Sequence, residues 1–219
     1  ERAREAAAGS EAQLEYLRSI LDVLAPATEE TLTLDRHQVV AEAARRAQRN
    51  LAGRPKLLAS VQLSLGDVAQ RTGDYAQARS LFAAASATRL ERFGRDSGEY
   101  GEALSLLGST TAQVDPPDPN LAAAELAEAV LLLRSHRPGS PELVAALARH
   151  ATALSNLDRV DEAAESLEEA ATLCDQASGD TDACEDVWLS SGQLLLRMDR
   201  NAEAVESLGR LLAWRRLRY

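Results

Sequence analysis

A pattern of small and large residues returns along this chain about every 42 residues, and it leaves few folds open. The large slot is held by Phe82, Leu126, Leu167 and Leu208, at spacings of 44, 41 and 41. Four residues before each stands Ala78, Ala122, Ala163 or Ala204. Three residues after each stands Ala85, Ala129, Ala170 or Leu211. Upstream lies a second small slot, Gly66, Gly108, Ala151 and Gly192, spaced 42, 43 and 41. Offsets of three and four put a small–large–small trio on one face of a helix. Small residues let two helix backbones approach, and the large residue fills the gap between them. The turns fall where such a unit needs them. "RTGDY", "VDPPDPN", "NLDRV" and "RMDRN" separate the two helices of a unit, while "FGRDSGEY", "HRPGSPEL" and "ASGDTDAC" separate one unit from the next. Gly, Pro, Asn and Asp in those places are turn chemistry. The period predicts a stack of helix–turn–helix units.

Composition points the same way. Of 219 residues, 45% are hydrophobic, yet only two Trp, four Tyr and two Phe are aromatic. Alanine and leucine carry the apolar content, which favours closely packed helices over sheets. The formal charge is −10. A nucleic-acid binder shows a basic face, and this chain offers only the short end "WRRLRY", with Lys56 its one lysine. No apolar run approaches the ~18 residues of a membrane span, and no signal peptide is visible. The chain opens on "ERAREAAAGS" without a methionine, so it is expected to be a segment of a longer protein.

The Gly66, Ala78, Phe82, Ala85 pattern resembles a tetratricopeptide repeat (TPR), and the fourth unit adds Trp188 four residues before Gly192. The period exceeds the usual 34 residues. It is similar to the longer repeats of kinesin light chains and many bacterial signalling proteins, as are the loops "LERFGRDSGEYGEAL" and "HRPGSPELVAAL". The resemblance runs from Lys56 to Trp214. It implies an all-α, tetratricopeptide-like α-solenoid of about five antiparallel helix pairs in a right-handed superhelix. Residues 1–55 are expected to hold a connecting helix and a divergent first helix pair. Residues 56–219 are expected to hold four tetratricopeptide-like repeats with a C-terminal capping helix, in one continuous solenoid. "EAQLEYLRSILDVLAPATEE" and the residues after it resemble the lead-in to the C-terminal repeat region of bacterial serine/threonine protein kinases. "ERAREAAAGSEAQLEYL" looks like the helix that connects a membrane span to those repeats. None of the kinase motifs lies in this segment. The kinase resemblance implies the extracytoplasmic side of a bacterial inner membrane; without it, the cytoplasm is expected.

Catalytic and metal chemistry finds little support. His37, His136 and His150 lack ligand partners at helical spacing. No serine sits in a nucleophile elbow, and no Gly-rich loop ends in Lys-Ser or Lys-Thr. No cofactor and no enzymatic activity are expected of this segment. Asp175, Asp180 and Asp182 lack the spacing of a calcium loop. Cys174 ends one helix and Cys184 opens the next. Their turn should bring the helix ends close, and a disulfide is sterically allowed if the Cα atoms come within about 7 Å. The alternative is two reduced, half-buried thiols. Both readings stay open.

As the repeat resemblance implies, the first helix of each unit should line the concave face. Spacing from the small slot puts Ser64, Asp67, Gln70 and Arg71 there, then Glu102, Ser105, Ser109 and Gln113. Arg149, Thr152, Ser155 and Asn156 follow, and last Asp186, Leu189, Gln193 and Arg197. This is a mixed, mostly neutral polar groove for a protein or peptide ligand. At the C-terminus, Arg215, Arg216 and Arg218 suit a helix dipole, and Trp214 and Tyr219 are expected to cap the stack. The sharper alternative there is a patch for an acidic partner or lipid headgroups. The expected function is a non-catalytic protein- or peptide-binding module. By resemblance it is the sensor or scaffold of a larger signalling protein. The alternative is a homo-oligomerisation module that brings attached domains together.

Overall fold

The computed structural model describes residues 36–177 and 182–218. The connecting helix and lead-in segment expected over 1–35 lie outside the described residues, as do 178–181 of the inter-cysteine loop and the proposed cap Tyr219. The described residues form nine α-helices and no strand. These are α1 (Arg36–Asn50), α2 (Pro55–Arg71), α3 (Tyr75–Phe93), α4 (Gly98–Thr111), α5 (Pro119–His136), α6 (Pro141–Asn156), α7 (Val160–Gln176), α8 (Asp182–Arg197) and α9 (Asn201–Arg218). They fall into two compact units, divided between residues 92 and 93.

In the first unit α1 packs on α2, and α2 and α3 form a hairpin closed through the 66–82 slot. In the second unit α4/α5, α6/α7 and α8/α9 are hairpins. Each second helix packs on the next first helix, α5 on α6 and α7 on α8. The first helices α4, α6 and α8 also touch in sequence, so they form one face.

The small slots do what their spacing predicts. A Cβ added at Gly66 would lie 2.5 Å from Phe82 Cε1. At Gly108 it would lie 2.8 Å from Leu126 Cγ, and at Gly192 2.6 Å from Leu208 Cδ2. The third repeat keeps alanine: Ala151 is buried on α6, and Leu167 is buried on α7. The trio alanines Ala78, Ala85, Ala122, Ala129, Ala163, Ala170 and Ala204 are all fully buried. The period stretches to 44 once because the second repeat joins its helices through 112–118, where the others use 72–74, 157–159 and 198–200.

Capping fixes the ends. Ser97, Asp118 and Ser140 accept the backbone N–H of Tyr100, Leu121 and Leu143 at the starts of α4, α5 and α6, each satisfying a donor the helix itself leaves open. α7 and α9 are preceded by Arg159 and Arg200 instead. These arginines pair with Glu162 and Glu203 three residues on, which holds both carboxyls below the usual range. The short turns reverse at a left-handed residue, Gly73 (φ 84°), Asp158 (φ 61°) and Asp199 (φ 61°). The first is free of strain there and the aspartates tolerate it.

Candidate functional site

The face of α4, α6 and α8 carries two depressions. The first, about 320 Å³, is lined by Glu102, Ser105, Glu142, Arg149, Asp182 and Asp186 among others. Glu142 and Asp182 lie in the first turns of α6 and α8, where a helix N-terminus favours acids. Stacking the units then brings these carboxylates to one end of the face. The expected neutral groove is therefore acidic at this end. Glu102 is matched by Arg137 (3.3 Å) and Asp182 by Arg218. Among the described residues Glu142 and Asp186 have no ion-pair partner. Asp186 is open to solvent along the groove yet walled by protein. That burial lifts its carboxyl above the ordinary range against the pull of Arg149, with Glu185 adding to the rise.

The second depression, about 170 Å³, is lined by Thr152, Ser155, Asn156, Ser190, Gln193 and Arg197, with Ala151, Leu167 and Leu194 beneath. It is the neutral polar part of the face.

Several candidate residues turn out to be held by the fold itself. Arg149 Nη1 donates to Ser105 Oγ at 3.0 Å, tying α6 to α4. Arg197 donates to the Ser155 carbonyl at 2.7 Å and to Asp158 at 3.1 Å, tying α8 to the end of α6. The hydroxyls of Ser64, Ser109 and Thr152 donate back to their own helices, at Ser60, Leu106 and Ala148. Gln113 lies in the 112–118 turn rather than on α4, and neither it nor Ser109 lines either depression. Leu189 is half-buried against the core. On α2 in the first unit, Asp67 and Arg71 pair with each other at 2.9 Å, and Gln70 is half-buried beside them.

Cys174 and Cys184 are fully buried, with Sγ atoms 2.08 Å apart and Cα atoms 5.7 Å apart, bridging the end of α7 to the start of α8. Each histidine has a protein partner among the described residues. His37 meets Asp74 at 3.0 Å, His136 meets Asp96 at 2.7 Å and His150 meets Ser166 at 3.2 Å. Among the described residues no group of three His, Cys, Asp or Glu could hold a metal ion, and no helix is long and apolar enough to cross a membrane.

Trp214, expected as a cap, lies on the last helix, α9. It is buried and meets Trp188 edge-on, with ring centroids 6.3 Å apart. Arg218 lies over its ring at 4.6 Å. Arg215 pairs with Glu185 and Arg218 with Asp182, so two of the three terminal arginines are tied to the start of α8. The residues that spacing alone left unnoticed lie between second helices. Arg134 of α5 pairs with Glu169 of α7, and Asp175 of α7 pairs with Arg210 of α9. Both pairs are 35 residues apart, and they are signalled by charges recurring at 128, 169 and 210 and at 134, 175 and 216.

No protein-family model matches the chain, and no curated protein matches it. Solved structures do. BtubC (BKLC) from P. vanneervenii superposes with a TM-score of 0.64 at 17% identity, over 83% of this chain and 72% of its own. A kinesin light chain from Podosopora anserina, with nearly identical TPR-like repeats, gives 0.60 at 16% identity, over 84% of this chain and 91% of its own. MamA gives 0.53 at 18%, over 84% and 94%. With the nine helices and the small–large slots, these likenesses establish the fold as an all-α, tetratricopeptide-like solenoid.

Proposed function

We propose that the chain is a protein-interaction module whose ligand lies along the α4–α6–α8 face of the second unit. Repeat arrays of this kind offer extended surfaces rather than a closed active site. The observation that carries the reading is the pair of adjoining depressions on that face, one acidic and one neutral. Glu142 and Asp186, without an ion-pair partner among the described residues, suit a lysine or arginine side chain of the ligand. Ser155, Asn156 and Gln193 suit its backbone amides. Glu102, Arg149 and Arg197 serve mainly to hold the face in register. On α2, Ser64, Asp67, Gln70 and Arg71 remain candidates for contacts made by the first unit.

Selection from a random peptide library displayed on phage, with the 219-residue chain as bait, tests this. Enrichment of lysine- or arginine-bearing peptides is expected. Enrichment of acidic peptides, or none at all, would overturn the acidic-groove reading.

The kinase-like lead-in supports a place in a bacterial signalling protein, as sensor or scaffold. Oxidation of Cys174 and Cys184 would suit an extracytoplasmic site, since such bonds persist in oxidising compartments. A second reading, self-association, is favoured by one observation: Val205 and Leu212 lie exposed one above the other on α9.

A further inference from the structure

The hairpins of the second unit meet at two equivalent junctions, 41 residues apart, and only the first is filled. There α5 meets the α6/α7 hairpin. Ala123 and Val130 of α5 and Leu154 of α6 are buried. The His150 ring lies half-buried against Ser166, within reach of the Arg134 charge on α5. Each position recurs where α7 meets the α8/α9 hairpin. Ala164 and Leu195 repeat Ala123 and Leu154, but Val130 becomes Ala171 and His150 becomes Ser191. Two side chains are cut back, and Ala164, Ala171 and Leu195 are only half-buried. What remains is a cleft of about 220 Å³ between α7 and α9, floored by α8. A close-packed interior leaves few voids larger than a water molecule, and this one is open at its mouth.

The cleft is apolar within and acidic at its walls. Leu167, Leu194, Met198 and the Trp188 ring line it. Glu168 of α7 and Glu206 of α9 stand on opposite walls, and neither makes an ion pair among the described residues. Glu168 feels the charge of Arg200 but is not bonded to it. At the first junction Ala127 holds its place, so a carboxylate enters the repeat where the space does. The two arginines of the lining are already matched, Arg200 by Glu203 and Arg210 by Asp175.

We propose that this cleft binds a small organic cation, an ammonium group on an apolar body about as large as one aromatic ring. The body takes the space that Val130 and His150 take at the first junction, and the ammonium lies between Glu168 and Glu206. The Trp188 face suits positive charge as well, since Arg210 already lies over it at 5.6 Å. The volume falls below the roughly 300–1,000 Å³ of drug-sized sites, which restricts the ligand to a small molecule. The cleft shares only Leu167 and Leu194 with the depressions of the α4–α6–α8 face, and the proposal does not rest on that groove.

Isothermal titration of the 219-residue chain with phenethylamine, a cation at neutral pH, tests it. Saturable binding is expected, about tenfold tighter or more than that of phenethyl alcohol or phenylacetate. Glu168→Gln with Glu206→Gln, both exposed, should weaken it about tenfold without lowering the melting temperature. Ala171→Val with Ser191→His rebuilds the filled junction and should abolish binding while melting no lower than the parent. No saturable binding below about 10 mM overturns the proposal. So does binding that survives the filled cleft, or equal affinity for phenethylamine and phenylacetate.

Discussion

At Gly66 the nearest obstacle to a Cβ is the ring of Phe82, which is fully buried and cannot swing aside. Gly66→Ala gains up to about 1 kcal/mol of helix propensity. Overpacking a filled core costs about 1–3 kcal/mol and should outweigh it. The third repeat shows the compatible alternative, Ala151 with Leu167. Gly66→Ala with Phe82→Leu should therefore be more stable than the sum of the single changes implies, a coupling that urea denaturation of all four proteins reads directly. Simple additivity would contradict the slot account. Asp199 offers a change of opposite sign. Its φ of 61° suits glycine, and Asp199→Gly should stabilise by up to about 1 kcal/mol. This residue scale was largely legible in the sequence, because slot residues meet partners 16 to 18 positions away within one hairpin. The groove residues were less legible. Arg149 and Arg197 find their partners 44 and 42 residues away. Helical spacing put both on the right face but could not show that they are tied down there.

At the scale of elements, His150 on α6 reports how tightly α7 packs on it. Burial, and then the charge of Arg159, depress its pKa, with Arg134 acting the same way and Glu162 opposing. The unfolded chain therefore binds this proton first. Stability should fall as pH drops through the unfolded value of about 6.5 towards the folded one. Melting temperatures between pH 7.5 and 5.5 should fall less steeply in His150→Gln than in the parent, and equal slopes would contradict the assignment. Asp186 on α8 works in reverse. Its raised pKa means that the groove resists its charge, so Asp186→Asn should melt at least as high as the parent at pH 7 while losing affinity for a cationic ligand. Helix boundaries followed from the turn segments that hold Ser97, Asp118 and Ser140, which the structure shows to be caps. The orientation of α9 did not. An aromatic near a chain end reads as a cap, and only the packing of Trp188 against Trp214 shows that it faces inward.

At the scale of the molecule, the second unit is a set of hairpins joined by recurrent ties. One is covalent in form, Cys174 to Cys184 across the α7–α8 junction. Closing a loop of that length restricts the unfolded chain by about 2–3 kcal/mol in the chain-entropy model. Protein purified without reductant should show no titratable thiol in denaturant, and reductant should lower its midpoint accordingly. Two titratable thiols would show the pair reduced. The stack itself was legible because it repeats. The charge of its ligand-facing surface was not, because it arises from first-turn acids of separate repeats gathered at one end.

The central claim, that the α4–α6–α8 face binds the ligand, is tested most directly by isothermal titration of a library-selected peptide against three proteins. These are the parent, Glu142→Gln with Asp186→Asn, and Asn156→Ala with Gln193→Ala. The account expects each double variant to bind at least tenfold more weakly while melting no lower than the parent. Unchanged affinity in both would place the ligand elsewhere on the molecule.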